Sequence, residues 1–423
     1  MPEHAGKSFR TDSLSRVPVR QPPIIDGQDL PMVSRFVYAS LWVLVLIIPL
    51  ENMFVFEGVG TITRFIGAFC MVMALIAVIV EKRGRRLGAM QAAFGVFLLW
   101  SMATFLWTLN YEQSRRAILT MSQLFAFVWL IWEFAQDERH QLGLMRAYVL
   151  GAMISVLTTF NAFIQGQATY YMRYSTRGFD PNDLGLTLAL AVPMAWYLAL
   201  RSEGRWVRWF YRLYLPASFM AVGLTASRSA FIAMMIGSIY VFWSAIRLSI
   251  MQRLVFWVAI GAGAWGGLQF IPKASWMRLA TIGSELSSGS LGGRVGIWRD
   301  GLRIFLDNPL CGVGVGAFRS GLLLTQRTYE AAPHNLFLSI LVGQGLIGLL
   351  LFFVVLFSAM RGSGNMPVLM HRMWLVVLLT WVTGVMTLGW EVRKPTWLIL
   401  GLLAVMASVP RTRDDSSLEE VAL

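Results

Sequence analysis

Residues 335–358 read NLFLSILVGQGLIGLLLFFVVLFS, a stretch without one charged side chain. As a helix, a run of this length crosses the hydrocarbon core of a bilayer, which is roughly 30 Å thick. Similar apolar runs recur along the chain almost to its C-terminus. We therefore predict about twelve transmembrane helices, near residues 34–50, 62–80, 88–108, 117–135, 145–165, 183–200, 210–225, 229–246, 254–271, 335–358, 373–389 and 396–409.

The composition of the 423 residues agrees with a membrane protein. Hydrophobic residues make up 56% and charged residues only 14%, with a mean hydropathy of +0.60, whereas charged residues form about a quarter of soluble domains. The expected fold class is an all-α polytopic membrane protein, and a single membrane anchor is excluded. In a soluble protein, a net charge of +13 would suggest binding to nucleic acid. In a membrane protein the basic residues must first be assigned to one side of the membrane, and we expect no nucleic-acid partner.

The distribution of basic residues predicts the orientation. One set of short loops carries most of the lysine and arginine, and the positive-inside rule places such loops in the cytoplasm. Both chain termini then lie on the cytoplasmic side of a bacterial inner membrane. These loops contain residues 82–86, Arg139, Arg146, residues 201–212, Arg247, Arg253, Arg361, Arg372, Arg411 and Arg413.

The same pattern divides the chain into five parts. We expect a disordered cytoplasmic tail at 1–32, transmembrane helices 1–9 within 33–271, an external loop subdomain at 272–334, helices 10–12 within 335–409, and a second cytoplasmic tail at 410–423. Within the long loop, residues 292–307 have the spacing of an amphipathic helix lying at the membrane surface. Its expected apolar side contains Arg294, Val295, Trp298, Leu302, Phe305 and Leu306.

The outer face is richer in basic residues than the positive-inside rule predicts. Arginine presents a planar fork of donors that matches phosphate oxygens, so several of them beside a lipid-accessible cleft would hold a diphosphate. The alternative for any one of them is pairing with lipid phosphates or local acids. The residues are Arg115, Arg116, Arg173, Arg177, Arg228, Arg294, Arg299, Arg303, Arg319, Arg327, Arg393 and Lys394.

Two of these arginines have the strongest positional argument. Arg228 joins two apolar runs with almost no loop between them, so it sits at the membrane edge, where a charge needs a polar cavity or an anionic partner. Arg177 precedes Gly178-Phe179-Asp180-Pro181-Asn182-Asp183, a turn-rich entry to the sixth span in which Asn182 or Asp183 is expected to cap the helix.

His334, in Ala332-Pro333-His334-Asn335, is the histidine placed for chemistry at the outer mouth of the tenth span. Its ordinary pKa suits a general base that accepts a proton from a sugar hydroxyl. The alternative is a polar cap at the helix N-terminus. The sequence lacks metal-ligand spacings, and we expect neither a metal nor another cofactor.

Taken in order, five segments resemble the bacterial O-antigen ligase and Wzy-type polysaccharide polymerase family. The resemblance covers roughly residues 170–355, and its specificity comes from the ordered set. The segments are Arg177-Gly178-Phe179-Asp180-Pro181-Asn182, Thr225-Ala226-Ser227-Arg228-Ser229, Gly293-Arg294 with Trp298, Asn308-Pro309-Leu310-Cys311-Gly312-Val313-Gly314, and Pro333-His334-Asn335 leading to Gly345-Leu346-Ile347-Gly348.

The resemblance implies a metal-independent membrane glycosyltransferase. Such an enzyme takes a glycan from undecaprenyl diphosphate on the periplasmic face and passes it to a hydroxyl of a second glycan or of lipid A-core. The resemblance also allows membrane lipids and other polysaccharide assembly proteins as partners.

The site residues implied by the resemblance are carried over by position. Arg177 and Arg228 would bind the diphosphate and stabilise it as leaving group, Arg294 would assist from the external helix, and His334 would orient or deprotonate the acceptor hydroxyl. The supporting residues would be Asp180, Asn182 and Asn335. Gln344 stands where an acid is expected before the glycine, so no role for that carboxylate is carried over.

Two further questions stay open at the level of sequence. The Asp-Pro-Asn form of the first segment is slightly more typical of exopolysaccharide polymerases than of ligases. A transporter or flippase of lipid-linked glycans is the alternative class, because about twelve spans is also a common number there. Transporters usually place polar groups at the membrane midplane, however, whereas these arginines stand at one rim.

Overall fold

The structure is a computed structural model that describes residues 30–56, 60–82, 84–169, 172–245, 250–288, 293–325 and 331–408. Most of the expected N-terminal tail, the C-terminal tail and Arg327 lie outside these ranges. Within them the chain is almost entirely helical.

The α-helices follow one another along the chain with short connections. A small antiparallel hairpin of Val55–Phe56 (β1) and Gly60–Thr61 (β2) joins the first two. The helices are α1 Met32–Ile47, α2 Ile62–Val80, α3 Ala89–Ala103, α4 Tyr111–Phe134, α5 Glu138–Ile164, α6 Pro181–Arg201, α7 Arg205–Thr225, α8 Arg228–Ala245, α9 Ile250–Phe270, α10 Lys273–Ala280, α11 Ile282–Ser288, α12 Arg294–Asp307, α13 Phe318–Leu323, α14 Leu336–Met360, α15 Val368–Val385 and α16 Lys394–Ala407.

Nine helical stretches in the described ranges are long and apolar enough to cross a membrane. The expected class, an all-α polytopic membrane protein, is confirmed. A helix stands at each of the other three predicted spans as well. However, α16 is shorter, α9 is not among the nine, and Arg205, Arg208 and Arg212 lower the hydropathy of α7. The count of twelve spans therefore stays a prediction.

Helix α6 forms the centre of the bundle, packed against α5, α7, α8 and α15. Every residue from Leu184 to Ala199 is buried, which fits a helix that is apolar on all sides. The cap of α6 differs from the sequence expectation. Asp180, rather than Asn182 or Asp183, is the N-cap, and its Oδ1 accepts from the backbone N–H groups of those two residues. Pro181 explains the difference, because proline favours the first helical position and so makes the residue directly before it, Asp180, the cap.

Helix α14 is interrupted at Gly345, whose φ of 69° and ψ of −170° are not helical. The segment 308–316 of the long loop lies in this break and pairs with it through backbone hydrogen bonds. The N–H of Gly314 donates to the carbonyl of Gly343 at 2.8 Å, and the N–H of Leu346 donates to the carbonyl of Pro309 at 2.8 Å. A Cβ on Gly345 would lie 2.1 Å from the carbonyl oxygen of Leu310. The glycines therefore permit close backbone approach.

The long loop has a small apolar core of its own, where α12 and α13 meet the first turns of α14. Its buried residues are Ile304, Val313, Ala317, Phe318, Leu322, Leu338 and Val342, with Ile297, Trp298 and Phe305 packed against them. Only part of the predicted apolar side of α12 packs into this core, since Val295, Leu302 and Leu306 are exposed. Helix α12 thus packs on protein through one side and leaves a second apolar side uncovered.

Candidate functional site

We call the side of the bundle that carries the long loop, where α6, α8, α14 and α16 begin, the loop face. The candidate residues meet there because these helix starts are neighbours. At the junction of α7 and α8, Ala226 has a φ of 47° and ends α7, and α8 begins at Arg228. This tight turn leaves Arg228 half-buried, with its Nη1 donating to the Thr281 hydroxyl at 3.1 Å.

Arg173 ties this junction to the start of α6. Its side chain is buried, its Nε donates to the Thr225 carbonyl at 2.7 Å, and its Nη2 donates to Asn182 Oδ1 at 2.8 Å. The Ser227 hydroxyl donates to the same Asn182 oxygen at 2.8 Å. Asn182, a supporting residue in the sequence analysis, therefore joins three segments of the site.

Three other arginines lie within electrostatic reach of Arg173. Burial lowers the pKa of Arg173 to about 10, and the positive charges of Arg278, Arg294 and Arg228 act in the same direction, while Asp180 opposes them. We call Arg173, Arg228, Arg278 and Arg294 the arginine cluster. Like charges repel in a site of reduced dielectric, so this arrangement favours the binding of a polyanion. The cluster brings together three of the outer-face arginines named from the sequence, Arg173, Arg228 and Arg294, and adds Arg278.

His334 lies at the edge of the arginine cluster, half-buried, in the connection that enters α14. Its φ of 47° is in the left-handed region, which is unfavourable for a residue with a Cβ. The Trp298 indole donates to the Pro333 carbonyl at 3.0 Å, and Asn335 Nδ2 donates to the Met386 carbonyl at 3.2 Å. These contacts hold the segment on both sides of the histidine.

The alternative role of His334 as a helix cap does not fit the structure. Asn335 is the N-cap of α14, and its Oδ1 accepts from the Leu338 N–H at 3.0 Å. Burial lowers the pKa of His334 below its ordinary value, with the Arg294 charge next in effect. The imidazole is therefore neutral at neutral pH, the form that accepts a proton.

Two acids of the site were not recognised as such in the sequence. Asp183 Oδ1 accepts from the Trp390 indole and its Oδ2 from Arg393 Nη2, both at 2.9 Å. Glu391 Oε1 accepts from the Ser339 hydroxyl at 2.6 Å, its Oε2 is buried without a hydrogen-bond partner among the described residues, and burial raises the pKa of the carboxyl. The only available signal was their place in turn-rich segments of the outer face.

Gln344, the departure from the family pattern, has a structural position. It is buried at the break in α14, where its Oε1 accepts from the Ser101 hydroxyl at 2.8 Å and its backbone carbonyl accepts from the Trp100 indole at 3.0 Å. An ionised acid at this buried position would carry a desolvation cost that the neutral amide does not.

Arg177 is exposed and lines a cleft of about 580 Å³ together with Asn52, Met53, Val55, Gly178 and Arg393. The electrostatic contacts of the arginine cluster include Arg173, from the same connection, where the sequence analysis named Arg177. Among the described residues no group of three or more His, Cys, Asp or Glu side chains is arranged to hold a metal ion.

The fold and the site define a multi-pass membrane protein with a cationic site at one rim of its helix bundle. Residues 213–353 match the family model described as O-antigen ligase, which confirms the resemblance over about a third of the chain. The match contains Arg228, Arg294 and His334, whereas the segment at 177–182 precedes it. No curated protein matches the chain.

Over residues 213–353 the chain is therefore similar to the O-antigen ligase family, which supports a membrane glycan ligase or polymerase class. Proteins of this class have a glycosyltransferase-like ligase activity, with a lipid-linked glycan as donor and a glycan as acceptor.

Proposed function

We propose that the protein transfers an oligosaccharide or polysaccharide from undecaprenyl diphosphate to a hydroxyl of a glycan acceptor on the periplasmic face of the bacterial inner membrane. The observation that carries the proposal is the arginine cluster with His334 at its edge. A diphosphate leaving group needs concentrated positive charge, and an attacking hydroxyl needs a proton acceptor close by.

In this proposal Arg228 and Arg294 bind the diphosphate oxygens, and Arg173 adds positive charge from its buried position. The acceptor oxygen forms a bond to the anomeric carbon of the donor while the bond from that carbon to the diphosphate oxygen breaks. His334 takes the proton of the acceptor hydroxyl. Asp180, Asn182 and Asn335 hold the helix starts that carry these groups.

The charge that develops on the departing diphosphate is neutralised by guanidinium groups, so the reaction needs no metal ion in this proposal. The Asp180-Pro181-Asn182 form of the first segment favours polymerisation of lipid-linked repeats over ligation to lipid A-core. The orientation has both termini in the cytoplasm and residues 272–334 in the periplasm, with helices 1–9 within 33–271 and helices 10–12 within 335–409.

Transfer by the purified protein in lipid nanodiscs tests the function. The substrate is a single glycan repeat on undecaprenyl diphosphate, supplied with EDTA, first alone and then with lipid A-core. A ladder of lengthening lipid-linked products without the core identifies a polymerase, and product attached only to the core identifies a ligase. No transfer in either reaction, together with movement of the intact lipid across vesicles, would instead identify a flippase.

Cysteine labelling tests the orientation independently. Ser287 is exposed on α11, and a Ser287→Cys variant that lacks the exposed native Cys311 should react with a membrane-impermeant maleimide from the periplasmic side. Labelling of this variant only after permeabilisation of the inner membrane would overturn the proposed side of the reaction.

A further inference from the structure

The cleft that contains Arg177 is formed by three separate connections on the loop face. Asn52, Met53 and Val55 come from the connection between α1 and α2, Arg177 and Gly178 from that between α5 and α6, and Arg393 directly precedes α16. Gly178 has a φ of 80°, and a Cβ there would lie 2.1 Å from the Asn52 carbonyl oxygen. The wall from the α1–α2 connection and the wall from the α5–α6 connection therefore pack backbone against backbone, so the packing of the fold defines the shape of the cleft.

The charges around the cleft are not balanced. Arg393 donates to Asp183, and Lys394 Nζ lies 2.5 Å from Glu51 Oε2, so both of these cations have an acidic partner. The structure gives the exposed Arg177 guanidinium no hydrogen bond or ion pair within the described residues. Among the described residues that line the cleft, Arg177 therefore has a positive charge without an acidic partner, and Arg393 contributes its partly exposed side. A ligand with an anionic group fits this arrangement.

The walls of the cleft favour a sugar over a lipid tail. Met53 and Val55 are its only apolar side chains among the described residues, and the remaining surface comes from a side-chain amide, two guanidinium groups and glycine backbone. An acyl chain would require an apolar wall. The volume of about 580 Å³ is in the usual range for sites that hold small ligands.

The cleft is also connected to the proposed proton acceptor. Asp183, which holds Arg393 at the cleft, lies within electrostatic reach of His334. A glycan held in the cleft would therefore approach the site from the side of His334, where the acceptor hydroxyl is expected.

We propose that this cleft is a subsite for an acidic sugar of the acceptor glycan, whose carboxylate binds the Arg177 guanidinium beside Arg393. The inference rests on the proposed function and assigns Arg177 to glycan recognition, apart from the arginine cluster that binds the donor diphosphate.

Direct binding measurements test the subsite without any transfer reaction. The probes are an oligogalacturonate, which carries carboxylates, and maltohexaose, which is neutral, titrated by calorimetry into the full-length protein in nanodiscs of zwitterionic lipid. Arg177→Gln should weaken oligogalacturonate binding about tenfold or more, the effect of losing a charge-assisted pair of hydrogen bonds. The matched control is Arg116→Gln, because Arg116 is another exposed arginine that follows the α3–α4 connection and pairs with Glu112.

Three results would overturn the subsite: equal affinity of the wild type for the two probes, an Arg177→Gln affinity equal to that of the wild type, or an equal loss in Arg116→Gln. An oligogalacturonate affinity that falls in nanodiscs with phosphatidylglycerol for the wild type, but not for Arg177→Gln, would assign the cleft to a lipid headgroup and also overturn the subsite. None of these results depends on donor turnover, so failure of the subsite is distinguishable from failure of the proposed transfer reaction.

Discussion

The arginines at the two ends of the bundle differ in what surrounds them. At the end opposite the loop face, Arg85 lies 3.6 Å above the Trp132 ring and donates to the Trp132 carbonyl and the Ser408 hydroxyl. Glu133 accepts from the Arg85 backbone N–H, and nearby Arg201 pairs with Glu138 at 2.7 Å. On the loop face, Arg173 instead lies among the positive charges of Arg278, Arg294 and Arg228.

The two ends differ in the charges that lie nearby, since Arg85 lies beside the acid Glu133 whereas Arg173 lies among other cations. The Arg85 guanidinium has an aromatic ring and two hydrogen-bond acceptors as partners within the chain, and these contacts stabilise the fold. Some basic residues of the loop face are equally well matched, since Arg115 and Arg116 share Glu112 and Lys394 pairs with Glu51. In the arginine cluster the positive charges of Arg278, Arg294 and Arg228 act on Arg173, and a bound polyanion would offset this repulsion.

The largest expected effect is on the chemistry at the edge of the cluster. His334→Ala should lower the single-turnover rate of transfer about 10²–10⁴-fold, since general-base assistance has that typical size, while the affinity for the donor stays near that of the wild type. Donor affinity, thermal stability and rate are measured on one purified preparation. An unchanged rate combined with reduced stability would contradict the role of His334 as proton acceptor.

A second effect concerns the break in α14, where the long loop that carries Arg278 and Arg294 of the cluster is attached. Gly345→Ala should destabilise the protein by about 3 kcal/mol or more, because its φ/ψ values suit only glycine and the added Cβ would meet the Leu310 carbonyl at 2.1 Å. Thermal unfolding in detergent measures the change. Gly283→Ala is the control, since nothing lies within 4 Å of a Cβ there. Equal stability of the two variants would show that the break tolerates a side chain.

The third prediction compares the two kinds of arginine directly. Arg228→Lys should reduce transfer about 10–100-fold, because an ammonium group keeps the charge but loses the two-pronged grip on phosphate. Arg85→Lys should leave the activity of folded protein unchanged and lower its stability by about 1–2 kcal/mol through lost contacts with Trp132 and Ser408. Loss of activity in Arg85→Lys, or full activity in Arg228→Lys, would contradict the assignment of Arg228 to substrate binding and of Arg85 to stability.

The smallest effect is a shift in pH dependence. Positive charge from Arg319 helps lower the pKa of His334, so Arg319→Gln should raise that pKa towards its ordinary value. Activity that requires neutral His334 is lost as the pH falls through this pKa, so the acid limb of the pH–rate profile should move to higher pH. Arg116→Gln should leave the limb in place. Activity that instead falls as the pH rises through the pKa of His334 would mean that the protonated imidazole is the active form.

Sequence reasoning predicted the helices well because a bilayer imposes a length and an apolar composition on each span. Each predicted span corresponds to a helix, from α1 at Met32–Ile47 to α16 at Lys394–Ala407. It predicted the apolar side of α12 less well. Trp298 and Phe305 pack on the loop core while Leu302 and Leu306 are exposed, because the partner of that helix is another part of the long loop.

For the site, the sequence by itself determined the residue types and their proximity to helix ends. Arg228 stands between two apolar runs and His334 precedes a third, and both facts are readable from hydropathy alone. Only the tertiary structure decided which arginine of the 166–182 connection joins the cluster, that Asn335 rather than His334 caps α14, and that Asp183 meets Arg393. These contacts join residues from up to 210 positions apart. They depend on how the helices pack, which the periodicity of a single helix does not specify.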